Sequence, residues 1–187
     1  VLVAKSDDIH RRLSEQIENR QVKRFYQALV WGVPDRSQGR VDTRYGRNPV
    51  RRTQMAVLEE GGRRAVTDYV VAETFAFSWT PEGMRTRKRE ASLILCSLQT
   101  GRTHQVRVHM EHLGTPVIAD PQYGDPTQDS GGPLQLDALV EAARGQALHA
   151  ARLSFTHPAT GEELEVQARP PQAFMEILQW LRDHDES

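Results

Sequence analysis

The chain has 187 residues, 38% of them hydrophobic and 26% charged, and a formal net charge of −1 at pH 7. That length and balance describe one folded domain with room for a real core, and exclude a disordered or collagen-like chain. No apolar run nears the roughly 20 residues that cross a bilayer, and the single cysteine, Cys96, excludes an internal disulfide. The expectation is a cytoplasmic protein without a membrane span or secretory leader, with Cys96 buried and inert in "ASLILCSL".

In chain order, "VLVAKS" reads as a first strand, and an apolar run at the very start predicts a chain truncated at its N-terminus. Ser6 followed by two aspartates is a helix N-cap. Ile9, Leu13 and Ile17 recur every four residues and predict an amphipathic helix to about Arg20. "VKRFYQALVWG" is a strand closed by Gly32 and Pro34. "GRVDTRYGRNPVRR" has no apolar periodicity and reads as an exposed loop or ribbon. "TQMAVLEEGGRRAVTDYVVAETF" is a hairpin about "EEGG", "TPEGMRTRKRE" a basic turn, and "ASLILCSL" a buried strand.

"QTGR" breaks that strand, and Thr103 is placed to cap a helix over His104–Leu113 ending at Gly114. Val106, Met110 and Leu113 form its buried face, with Arg107 and Glu111 as a surface pair at i, i+4. "DPQYGDPTQDSGGP" is loop, and Leu134–Arg144 a short helix. "ALHAARLSFTHP" and "LEVQA" are strands, and "PPQAFMEILQWLRDH" is an amphipathic helix. The whole is an α+β fold: a mixed, mostly antiparallel sheet flanked by helices, in a single domain over residues 1–187.

The donor-rich run "LQTGRTHQVRVHMEHLG" could bind a metal, an anion or a nucleic acid. Metal fits poorly: His104 and His109 are five apart, and nothing obvious completes a set with His109 and His112. His149 and His157 read as structural. An anion fits better, because Gly101 allows a tight turn, a helix N-terminus offers free N–H groups, and Arg102 offers a planar fork. A structural acid paired with Arg102 is the alternative. Residues 1–107 carry a net +8 and residues 108–187 a net −9, so a polyanion would be met by the first half. Two clusters stand out there: Arg36, Arg40, Arg44, Arg47, Arg51 and Arg52, and then Arg85, Arg87, Lys88 and Arg89.

"LQTGRTHQVRVHMEHLGTPVIADPQYG" resembles the RluA-type family of RNA pseudouridine synthases. "RFYQALVWG", "GRVDTRYGRNPVRRTQMAV…GGRRAVTDY" and "ALHAARLSFTHPATGEELEVQARPPQAF" are similar to further segments of that family, in the same order. Ala119 stands where the family more often has glycine, and Arg63 where lysine is common. The resemblance implies isomerisation of specific uridines to pseudouridine in structured RNA, ribosomal RNA above transfer RNA, by a monomer without cofactor or metal. A non-catalytic RNA-binding module derived from the same fold is the alternative. Family carry-over makes Arg102 the cation beside the nucleophilic aspartate and Tyr26 the tyrosine that stacks on the extruded base. Phosphates would meet Arg40, Arg44, Arg47, Arg51, Arg52, Arg87 and Lys88. The family's nucleophile lies in an HRLD motif that would fall just before Val1. Asp42, Asp68 and Asp120 match family positions unrelated to attack, so residues 1–187 alone are expected to be inactive.

Overall fold

The computed structural model describes residues 2–124, 127 and 131–186. Seven strands form one sheet: β1 (Lys23–Trp31), β2 (Gln38–Arg47), β3 (Met55–Leu58), β4 (Arg63–Trp79), β5 (Arg87–Leu98), β6 (Leu148–Thr156) and β7 (Glu163–Gln167). Four helices accompany them: α1 (Asp7–Glu18), α2 (Gln105–His112), α3 (Leu134–Ala142) and α4 (Gln172–Asp183). The strand order is β3-β2-β4-β5-β1-β6-β7, and every registered pair is antiparallel. The α+β class expected from the sequence is the class found, without the parallel component of a mixed sheet.

Alternation along the central strand β1 sets the layers. Leu29 and Trp31 point to one face, where Phe75, Phe77 and Leu93 join Ile177 and Leu181 of α4 and Leu136 of α3. Ala28 and Val30 point to the other, where Tyr69, Ile94 and Cys96 meet Val106 and Met110 of α2. A smaller cluster of Leu13, Val22 and Phe155 docks α1 at the β6 side. Cys96 is buried, and burial pushes its thiol up to about 12, which keeps it a neutral apolar side chain.

Five local expectations are corrected. The "EEGG" turn does not close a hairpin: β3 and β4, which it joins, pair with opposite edges of β2. Residues 2–6 form no strand, and α1 follows them directly, capped by Ser6. The arginine-rich segment expected to be a loop is strand β2. Val41 and Tyr45 are buried and Thr43 half-buried on its α2 side, a period of two that the intervening Arg40, Asp42 and Arg44 mask in the sequence. Arg40 and Asp42 are matched across the strand pair by Asp68 and Arg64 respectively. Strand β5 begins at Arg87, so Arg87 and Lys88 belong to a hairpin arm. Helix α3 stops at Ala142, and Arg144 takes a left-handed conformation. Of the loop expected between Asp120 and Pro133, residues 125, 126 and 128–130 lie outside the described residues.

Candidate RNA-binding and catalytic site

The donor-rich run sorts itself by burial. Gln105 and His109 are buried, and their side chains are consumed internally. The Gln105 amide donates to Val66 O and Thr67 Oγ1, both at 3.0 Å. Its oxygen accepts from the Thr100 hydroxyl at 2.8 Å and from the backbone N–H of Arg102 at 3.0 Å. His109 lies between Thr67 Oγ1 at 2.8 Å from Nδ1 and Thr43 Oγ1 at 3.1 Å from Nε2. Burial, with His112 beside it, depresses His109 to about 4, so its ring is neutral at pH 7. The network pins the turn between β5 and α2 to the edge of β4, and Gln105 holds the backbone of Arg102 directly.

Arg107 was expected to pair with Glu111 on the helix surface. Instead it is buried and forks onto Asp120, both contacts at 2.6 Å. Burial raises the Asp120 carboxyl, but Arg107 and the N–H groups of Gln122 and Tyr123 outweigh it and hold the acid below the usual carboxylate range. Arg107 also lies 4.8 Å from the centre of the Tyr123 ring, whose hydroxyl meets His104 Nδ1 at 2.9 Å. The 120–124 turn is thereby locked to the start of α2, and at Gly124 a Cβ would come within 2.4 Å of Asp120 O.

The expected helix cap and anion pole are also corrected. α2 starts at Gln105, with His104 left-handed before it and no side-chain cap from Thr103. Thr103 offers its carbonyl to the Tyr45 hydroxyl at 2.5 Å. The first residues of α2 are buried against the sheet, and Gln105 N–H already bonds Arg102 O, so anion binding falls to side chains.

Arg102 is the run's partly exposed cation. Its Nε reaches only Arg64 O, at 3.4 Å, and no ion pair among the described residues includes it. Tyr26 is half-buried on β1, opposite Cys96 and Ala150, on the face that carries α2. The two are linked through Arg24, to which the sequence alone attached no role: its guanidinium, two residues before Tyr26, abuts Gly101, the residue before Arg102. Gly101 has no left-handed backbone, so a tight turn is not the reason for glycine there.

The remaining expected phosphate contacts lie apart. Arg40 and Arg44 project from β2 away from α2, and Arg40 is engaged by Asp68 at 2.6 Å. Arg47, Arg51 and Arg52 cluster at the β2–β3 turn, where Arg47 donates to Arg52 O. Arg87 and Lys88 begin β5, a strand's length from Leu98, or roughly 35 Å at ~3.3 Å per residue. Asp42, Asp68 and Asp120 are each held by an arginine, Arg64, Arg40 and Arg107 respectively, which leaves none of them free for attack. No cluster of three or more metal-ligating side chains occurs among the described residues, and no helix is long and apolar enough to cross a membrane.

Residues 1–112 match the family described as RNA pseudouridylate synthase. The chain belongs to that family. Among RNA pseudouridylate synthases, it is 39% identical over 182 residues to "Ribosomal large subunit pseudouridine synthase D" of Neisseria meningitidis serogroup B, covering 97% of this chain and 45% of that protein. The protein of the same name from Nitrosomonas europaea is 40% identical over 183 residues, covering 98% of this chain and 48% of that protein. This chain thus spans about half the length of the curated synthases it matches. Among solved structures, "Human RNA Pseudouridylate Synthase Domain Containing 4" superposes with a TM-score of 0.65 at 25% identity, over 95% of this chain and 69% of that one. The synthase fold is therefore shared well beyond close sequence likeness.

Proposed function

We propose that the chain is the catalytic domain of a pseudouridine synthase acting on ribosomal large-subunit RNA, the substrate named for its relatives. The observation that carries the reading is the division within the "GRTHQ" turn. Gln105, Arg107 and His109 are consumed in holding the turn, and Arg102 is held at its backbone with its guanidinium in no ion pair among the described residues. A guanidinium in that state stabilises a carboxylate that must stay ionised in a dry pocket. In the proposed reaction an aspartate carboxylate supports cleavage of the bond between uracil N1 and ribose C1′. The base turns, carbon 5 bonds to C1′, and the carbon-5 proton leaves as N1 takes one up. Tyr26 stacks on the base once it is out of its helix. The reading needs no cofactor or metal and takes one copy of the chain.

That carboxylate is proposed to be supplied by the family's HRLD segment, which residues 1–187 do not contain. Tritium release from carbon-5-labelled uridine in cellular RNA tests this. Residues 1–187 alone should release none, and the chain carrying the segment should turn over. In that longer chain Arg102→Ala should abolish turnover with the fold intact, and Arg102→Lys should keep part of it. Turnover by residues 1–187 alone, or wild-type rates in Arg102→Ala, would sink the reading. The outlying cations Arg40, Arg44, Arg47, Arg51, Arg52, Arg87 and Lys88 are proposed to contact phosphates beyond the pocket. Neutralising Arg51 and Arg52 together should flatten the salt dependence of RNA affinity by about one unit per lost contact.

A further inference from the structure

Arg24 sits in an unusual state for a strand arginine. Its Nε is buried and meets no acceptor, and no ion pair among the described residues includes it. A buried, unmatched guanidinium donor costs free energy, so its retention calls for a partner from outside the chain. Arg152 provides the contrast. It also lines the groove, but it is engaged by Glu165 at 3.5 Å and packs 3.9 Å from the centre of the Phe25 ring.

The seat of Arg24 is specific. A Cβ built on Gly101 would fall 2.0 Å from Arg24 Nη1 and 2.7 Å from Cζ and Nη2. Any other residue at 101 would evict the guanidinium, so the glycine of the "TGR" turn keeps Arg24 beside Arg102. Arg24 and Tyr26 share a face of β1 and line one groove of about 360 Å³, walled by Ile17, Val22 and Phe155. Two residues along a strand separate the two side chains by roughly 7 Å. That is comparable to the span a ribose imposes between a nucleobase and its own phosphate.

We propose that Arg24 binds the backbone phosphate of the nucleotide whose base stacks on Tyr26, leaving Arg102 to the nucleophile. The assignment rests on the RNA-modifying reading and adds a residue to it. A planar guanidinium offers a phosphate two parallel donors, and the apolar groove walls strengthen the contact by excluding water. A carboxylate partner is the competing possibility, because both anions suit the same fork.

The test is fluorescence anisotropy of a labelled uridine-loop RNA hairpin with the 187-residue chain over a range of salt concentrations, beside circular dichroism of each variant. Arg24→Gln should weaken binding roughly tenfold and flatten the slope of log-affinity on log-salt by about one. Gly101→Ala, which keeps the arginine but removes its seat, should reproduce both effects, and the double variant should be no worse than either. Arg24→Lys should restore the slope and only part of the affinity. Unchanged affinity and slope in folded Arg24→Gln would overturn the proposal and leave a carboxylate as the partner. Lost affinity with an unchanged slope would overturn it too, by showing a packing role. Should Arg24→Gln fail to fold, Arg24→Lys decides: a slope flattened in that variant counts against a phosphate contact. The readout needs no turnover, so a catalytic failure of the longer chain stays distinguishable. A wild-type chain that ignores the hairpin overturns the RNA reading and this one together.

Discussion

Helix α2 and the groove beside it hold the same kinds of side chain and use them in opposite ways. In α2 the buried donors are answered: Arg107 by Asp120, His109 by two threonines, Gln105 by four partners. Elsewhere, Arg24 packs on Gly101, the residue before Arg102, and neither arginine has an ion pair among the described residues. Residue type therefore does not separate scaffold from site. What separates them is whether the chain itself satisfies the donor.

The largest expected effect comes from breaking the answered side. Arg107→Ala leaves the Asp120 carboxylate buried and uncompensated, which costs about 3–5 kcal/mol. In a chain of this size that lowers the thermal midpoint by about 10 °C, readable by differential scanning calorimetry. Arg102→Ala should change the midpoint little, within about 0.5 kcal/mol, because that side chain is unpaired. Equal losses in the two variants would erase the distinction between the regions.

His109 sharpens it through pH. Its folded value of about 4 lies below the ordinary 6.5, so the unfolded chain binds more protons between those limits. Stability from this group is complete above pH 6.5, falls as pH drops towards 4, and falls no further below that. The loss is about 3 kcal/mol at most, and His104, also depressed by burial and by Arg107, adds in the same direction. Urea unfolding at a series of pH values should show a shallower decline in His109→Gln than in wild type. An identical decline would mean that burial does not hold the ring neutral.

The smallest expected effect is at Ala119, which adopts φ +58°, a left-handed conformation that penalises any side chain. Ala119→Gly should stabilise the fold by about 1 kcal/mol, or ~3 °C in thermal midpoint, without touching RNA affinity. A lower midpoint would show that the alanine methyl contributes packing that outweighs its strain. The departure from the family's usual glycine is thus one of backbone comfort.

Much of this was legible in advance. The aliphatic run of β1, α1 and α4 announce themselves by period and by turn chemistry, and Arg102 stood out by position, whereas the "EEGG" turn joins two strands that pair with β2 and not with each other. Strand β2 was hidden because its inward face holds only Val41, Thr43 and Tyr45, diluted by charged residues of which Arg40 and Asp42 find their partners on another strand. The pairing of Arg107 was hidden because helical spacing offered a nearer acid, and Asp120 reaches it only through a turn. Arg24 was legible only as the basic first residue of "RFYQALVWG", with no role attached, because its contact with Gly101 exists only in three dimensions.

The strand order carries a consequence for how the site comes into being. Tyr26 lies in β1, the first strand of the sheet in chain order, yet its two neighbours across the sheet are Cys96 in β5 and Ala150 in β6. Neither edge of β1 can close locally, and loop-closure entropy opposes both pairings until distant chain has been made. The groove therefore takes shape late: β1 keeps both edges open until β5 is made and one edge open until β6 follows. Nascent chains cut short before residue 148 would hold the strands β1 to β5 with one edge of β1 bare and no groove, and those are the intermediates in which a chaperone would find β1.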